Sequence, residues 1–298
     1  RRKRCTSAAS SLRPAPARRT PTRPPSNAAA ETAMDIVNMM TSYEQNFNPL
    51  PAVAFAANNW LVPIAIVTAY ILFVFIVPSI MATRKPFDLE KPLAAWNGLL
   101  CVFSTIGLCK TVPVLLSTLY TDGYSSSVCS YPAETWGTGS SGLWVVLFIF
   151  SKIPELMDTV FIVLRKKPLV FLHWYHHVTV LLFCWSSLST MAASGLYFVA
   201  MNYTAHSLMY GYYCLKALHI CPKAFPTVLI TLTQILQMVL GTCVCVSCWY
   251  YAVEGRACSN DRSNLIAGAL MYGSYLYLFV DFFVRRYLLA PKKREKKV

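Results

Sequence analysis

Charged side chains are scarce in this chain of 298 residues: Asp, Glu, Lys and Arg make up 13%, about half the share of a soluble domain. With 55% hydrophobic residues, it lacks the polar surface to enclose its core in water, which excludes an ordinary soluble domain and points to a bilayer. Acidic residues are the rarer sign, leaving a net charge of +14. Nucleic acid is not implied, because the positive charges sit in a tail and in short loops between apolar blocks. Eleven cysteines give only one C-x-x-C pair, Cys245 and Cys248. It lies in an apolar stretch with no second pair to complete a zinc site.

The first 33 residues lack acid almost entirely: seven Arg and one Lys precede Glu31, among many Ala, Ser and Pro. Two readings stand side by side, an organelle transit peptide and a natural start at Met34. Residues 1–59 are read as an N-terminal tail, with 1–33 disordered or transit-like, 60–290 as a membrane domain and 291–298 as a basic tail.

A helix needs about 20 mostly apolar residues to cross the hydrocarbon. Seven stretches qualify: 60–83, 93–119, 143–164, 169–190, 193–217, 226–251 and 263–289. All are far longer than the roughly 10 residues of a barrel strand, so the expected fold is an all-α, polytopic protein of seven transmembrane helices. Between them, Arg84, Lys85, Lys91, Arg165, Lys166, Lys167, Lys216, Lys223, Arg285, Arg286 and the tail from Lys292 to Lys297 place fifteen cations on one side. Arg256 and Arg262 are the two on the other. That bias predicts a cytosolic C-terminus and a lumenal N-terminus. The tail KKREKKV is either a loose dilysine retrieval signal of endoplasmic-reticulum membrane proteins or a plain positive-inside anchor.

Ionisable groups inside spans are costly and by default mark function. The third stretch reads SKIPELMDTV, with Lys152, Glu155, Asp158 and Thr159 at helical spacing on one face. A structural Lys152–Glu155 ion pair alone would leave Asp158 uncompensated, and Pro154 predicts a local kink. The fourth carries HWYHH, with His173, His176 and His177 near one face. In the fifth, Asn202, His206 and Tyr210 form an i, i+4, i+8 stripe, followed by Tyr213. In the sixth, Thr231, Gln234 and Gln237 recur at steps of three. A single intramembrane Gln or Tyr is more often helix–helix glue, but four such stripes are not readily glue alone. At ~1.5 Å rise per residue, each stripe lies about 10–15 Å from the basic end of its helix, so the site is expected to open to the cytosol. Lys110 lies deeper, and either snorkels to the lumenal surface or closes a cavity there. Cys129 and Cys258, the only cysteines in the longer lumenal connections 120–142 and 252–262, are expected to form a disulfide, because an oxidising lumen permits one.

The histidine pattern suggests two chemistries. A di-iron site draws on about eight histidines, and the chain has five in all; no metal is expected, though four histidines together leave a single ion as a lesser reading. The other is acid–base or nucleophilic work. Here KIPELMDT (152–159), HWYHH (173–177), the N-x-x-x-H-x-x-M-Y-x-Y-Y run (202–213) and T-x-x-Q-x-x-Q (231–237) resemble, in order and spacing, the four signatures of the very-long-chain fatty acid elongase family. The likeness covers about 34–298, and FLHWYHHVTVLL is similar to the subfamily acting on saturated and monounsaturated acyl chains.

The resemblance implies a 3-ketoacyl-CoA synthase of the endoplasmic-reticulum membrane, with six of seven helices around an acyl tunnel. Acyl-CoA and malonyl-CoA would give 3-ketoacyl-CoA, carbon dioxide and CoA without a cofactor. Implied partners are membrane lipid and the reductases and dehydratase of the elongation cycle, with room for a homodimer and no nucleic acid. Catalytic roles fall to His173, His176, His177, His206, Asn202, Lys152, Glu155 and Asp158, and substrate contacts to Tyr210, Tyr213, Thr231, Gln234 and Gln237. Lys152, Glu155 and Asp158 are expected to orient one histidine ring. A neutral imidazole, with an unperturbed pKa near ~6.5, can attack a thioester; His176 is the favoured nucleophile over His177, and direct condensation in a ternary complex is the rival. Cys184 reads as a core cysteine. A seven-span transporter or receptor is the alternative function, although a transporter needs access from both faces.

Overall fold

A computed structural model describes residues 28–222 and 225–289, and among them every regular element is helical. Two compact units meet between Ser42 and Tyr43. The first holds most of helix α1 (Ala28–Gln45), whose Met34, Val37 and Met40 are exposed. Residues 1–27, Lys223 and the basic tail from Lys292 to Lys297 lie outside the described residues.

The second unit runs through α2 (Leu50–Asn58), α3 (Leu61–Ala82), α4 (Glu90–Cys129), α5 (Gly139–Ser151), α6 (Met157–Leu164), α7 (Phe171–Ser189), α8 (Gly195–Ala217), α9 (Thr227–Val253) and α10 (Arg262–Phe283). Among the described residues, four helices are long and apolar enough to cross a membrane: α3, α4, α9 and α10 with its π-turn extension to Leu288. On α3, Leu61, Ile64, Leu72, Phe75 and Ile76 all point outward, as a lipid-facing helix requires. The polar motifs lower the apolarity of α7 and α8, and the third stretch is divided.

That division has a local cause. Pro154 opens a 3₁₀ turn (Pro154–Leu156) between α5 and α6, because its ring nitrogen cannot donate to an α-helical ladder. Two boundaries also differ from the sequence reading. Helix α4 continues ten residues past position 119 to Cys129, bending at Gly123, whose φ of 77° suits glycine; apolarity ends there before helicity does. The body also begins at Tyr43 rather than residue 60, because α2 packs on α7 and buries Ala56 completely.

Helix α4 packs along α8, α8 on α9, α9 on α10, α10 on α7, α7 on α5 and α5 on α4, closing a ring of six. Helix α3 stands outside it, against α6 and α7. Small residues let α4 and α8 approach: a Cβ on Gly107 would lie 2.3 Å from the Tyr203 ring. The turns gather at two ends. At the basic end, Lys166 Nζ donates to the carbonyls of Ala82 and Arg84, while Glu90 pairs with Arg165 and His219. At the opposite end, a disulfide joins Cys129 to Cys258. Asn260 there donates to the Val128 carbonyl and accepts from Ser194, binding three connections together.

Candidate active site

The break at Pro154 sets the orientation of the Lys152–Thr159 motif. Lys152 ends α5 and Glu155 lies in the 3₁₀ turn, both almost fully buried, at 2% and 3% exposure. Lys152 Nζ donates to both Glu155 carboxylate oxygens, at 2.7 and 2.8 Å, and lies 3.5 Å from Asn202 Oδ1. Ser151 Oγ donates to the same carboxylate, and the ammonium sits 4.0 Å from the Phe148 ring centroid. A buried pair persists only when such added contacts offset desolvation.

Asp158, on α6, joins no ion pair among the described residues. Its two oxygens accept from Trp96 Nε1 and Tyr210 OH, each at 2.7 Å, so neutral donors solvate it where the sequence suggested an uncompensated charge. None of Lys152, Glu155 and Asp158 hydrogen-bonds a histidine directly. Their partners already occupy them, and the residue that reaches a ring is Thr159. Its Oγ1 lies 2.9 Å from His173 Nε2 and 2.7 Å from the hydroxyl of Tyr70 on α3.

The three histidines of α7 cluster: His173 and His177 have ring centroids 4.5 Å apart, and His176 and His177 5.6 Å. Tyr275 of α10 lies 5.1 Å from the His176 ring and donates to the His176 carbonyl, holding that turn. His206 is 5.2 Å from the Tyr210 ring. The ring nitrogens of His176, His177 and His206 have no hydrogen-bond partner among the described residues, yet no fully buried side-chain nitrogen or oxygen there lacks one. Each of these nitrogens therefore keeps some accessible surface, although His177 and His206 are buried as residues. No three His, Cys, Asp or Glu among the described residues group as metal ligands.

The α9 stripe does not join this cluster. Thr231 faces Tyr287 and Gln234 donates to Met209 Sδ, which connects α9 to the end of α10 and to α8, and Gln237 is buried. Tyr213 is 43% exposed and touches Tyr212. Sequence reasoning missed Trp96, Tyr70 and Tyr275; the available signal was a tyrosine inside the otherwise charge-free α3 and a lone tryptophan early in α4.

A narrow cavity of about 60 Å³ adjoins the cluster. Its inner end reaches Asn202 and Val180, one turn from His206 and His176, and its lining is apolar, with Phe148, Phe183, Cys184 and Phe198 among the wall residues. From Val180 to Met191 it follows α7 for roughly 16 Å at the helical rise per residue. It leads away from the basic loops.

A family model, the GNS1/SUR4 or ELO family, matches residues 55–296. The chain belongs to this family. The elongase is 39% identical over 256 residues to human very long chain fatty acid elongase 6, covering 85% of this chain and 95% of the relative. It is 42% identical over 227 residues to very long chain fatty acid elongase 4 of Trypanosoma cruzi, covering 75% and 79%. Against very long chain fatty acid elongase 6 of Drosophila melanogaster the identity is 41% over 237 residues, covering 78% and 74%.

Proposed function

We propose that this elongase joins a long-chain saturated or monounsaturated acyl-CoA to malonyl-CoA through a covalent intermediate on His176. The condensing step of fatty acid elongation is the activity of the family, in which acyl-CoA and malonyl-CoA give 3-ketoacyl-CoA, carbon dioxide and CoA. The observation that carries the covalent route is the set of unpartnered imidazole nitrogens beside an apolar cavity. His176 is the more accessible of the adjacent pair, half-buried where His177 is buried.

In the first half-reaction a ring nitrogen of His176 attacks the thioester carbonyl. A C–N bond forms, the C–S bond breaks, and CoA leaves as its thiolate and takes up a proton. In the second, the malonyl group loses carbon dioxide, and the electron pair left behind attacks the acyl carbon. The C–N bond breaks, 3-ketoacyl-CoA forms and the imidazole is restored. Asn202 and His206 are assigned to the enolate oxygen: Asn202 presents Oδ1 to Lys152, leaving its N–H₂ group to donate toward the cavity. Tyr210 and Tyr213 lie on the substrate side in this reading, and Thr231, Gln234 and Gln237 act through α9.

The same reading takes the body as seven crossings: α3, α4, α5 with α6, α7, α8, α9 and α10, whose turns alternate between the two ends described above. The basic end is cytosolic, where Arg and Lys can attract CoA phosphates, and the disulfide end is lumenal, in the endoplasmic reticulum. The reductases and dehydratase of the cycle would then meet the product on the cytosolic face. Incubation of purified enzyme with acyl-CoA alone tests the route. Release of CoA and an acyl adduct on a histidine peptide are expected, both lost in His176→Ala. Normal turnover in His176→Ala, or no CoA release without malonyl-CoA, would leave direct condensation in a ternary complex.

A further inference from the structure

A segment that precedes α3 forms part of the cavity wall. Pro49 and Val53 of that segment line it, together with Trp136 and Gly137 of the α4–α5 connection and Met191 and Ala192 of the α7–α8 turn. The segment is held by one carboxylate. Glu44 accepts from Lys110 Nζ at 3.0 and 3.1 Å, Ser140 Oγ at 2.6 Å and Trp144 Nε1 at 2.8 Å, so α4 and α5 both grip it. Gly139 N donates to the Phe47 carbonyl, and Trp185 Nε1 to that of Ala56. Between these ties, Phe47, Ala52 and Val53 pack on the core of Val145, Ile149, Trp185 and Leu188. Residues 44–53 also lie before the part of the chain that the family model matches.

We infer that residues 44–53 form a strapped plug that stops the far end of the acyl chain, so that Val53 and the Glu44–Lys110 clamp set the longest product this enzyme makes. The inference rests on the acyl-tunnel reading proposed above. An acyl tail advancing from His176 meets Val53 and Pro49 last. Extending it further would require the plug to move, and the plug moves only by breaking a carboxylate held by three donors. Lys110, whose place in the span was open from sequence alone, is the cationic half of this clamp.

Two measurements separate the inference from the reading it rests on. Product length is read by supplying saturated acyl-CoAs of increasing length with malonyl-CoA. Chain-length preference is read without catalysis, from the Tm shift that each acyl-CoA gives the purified enzyme. Val53→Trp should end the products at least one elongation cycle earlier and lower the longest chain that stabilises the protein. Val53→Ala, Glu44→Gln and Lys110→Met should each admit chains at least one cycle longer, and the Glu44→Gln/Lys110→Met pair should go no further than either alone. If Val53→Trp fails to fold, the enlarging variants carry the decision. Unchanged product length and unchanged Tm ranking in folded Val53→Ala and Glu44→Gln would overturn the inference while leaving the reaction standing. A wild-type enzyme whose Tm no acyl-CoA shifts and that releases no carbon dioxide from malonyl-CoA would overturn both.

Discussion

Lys152 and Glu155 invite the question whether a buried ion pair beside a reaction site serves folding or chemistry. Their contacts suggest both: the pair satisfies itself, and the ammonium also reaches Asn202. Removing one member of a buried pair typically costs about 3–5 kcal/mol, whereas replacing both with apolar residues can be nearly neutral. Glu155→Leu is therefore expected to lower Tm sharply, and Lys152→Met/Glu155→Leu to recover most of it while turnover stays lost. Recovery of turnover along with Tm would show that the pair is only structural. Tyr70→Phe makes a finer case. It removes the hydroxyl behind Thr159 and His173, and is expected to lower kcat several-fold with KM nearly unchanged; a change confined to KM would count against it. The sequence made the histidines legible because ionisable groups in apolar runs stand out. For Trp96 and Tyr70 it offered only a single tryptophan in α4 and a single tyrosine in α3, and for Tyr275 nothing, because an aromatic residue in a span has no local mark separating a hydrogen-bond donor from a lipid-facing ring. It also suggested Asp158 as a histidine partner, since helical spacing places residues on a face but does not rank the donors that reach them.

Among elements, α4 and α8 form the longest seam in the body. Gly107 faces Tyr203, which is 1% exposed and whose hydroxyl donates to the Trp144 carbonyl at 2.9 Å, so the ring is pinned at both ends. A methyl at position 107 has no flexible neighbour to displace. Gly107→Ala is expected to destabilise the enzyme by about 1–3 kcal/mol, the usual cost of overpacking a dense core, and Gly273→Ala, which meets nothing within 4 Å, should be close to neutral. Equal Tm values for the two variants would refute this packing account. The strength of such seams was hidden in the sequence, although the helices themselves were not. Hydropathy marks an apolar run but not its end, which is why α4 outlasts its apolar stretch through polar residues to Cys129. Pro154 was legible as a break because its missing donor acts locally. Helix α2 was not, since nine residues are too few to span a bilayer, and only its packing on α7 makes it part of the body.

The whole molecule is tied at the end away from its basic loops, by Glu44 and by the disulfide. Burial alone pushes the Glu44 carboxyl up, but Ser140, Lys110 and Trp144 together hold it below its ordinary value of 4.5. A lowered folded pKa contributes stability that is fully present above the ordinary value and is lost as pH falls through the folded one. The Tm advantage of wild type over Glu44→Gln is thus expected to be constant near neutrality and to shrink in acid; a pH-independent difference would exclude the carboxylate as its source. The disulfide acts differently. It closes a separation of 129 residues, for which the chain-entropy model gives close to 5 kcal/mol in water. In a bilayer the unfolded reference keeps its helices inserted, so less freedom remains to be lost, and about 2 kcal/mol is the expected share. The surrounding contacts also bear on the result: Ser259 N donates to the Cys129 carbonyl and Ala193 N to the Ser259 carbonyl, so the knot of three connections outlasts the loss of one covalent bond. Cys129→Ser/Cys258→Ser should fold, keep measurable turnover and melt several degrees lower. In the native enzyme both thiols should resist alkylation until a reductant is added, and alkylation of both without reductant would refute the bond itself.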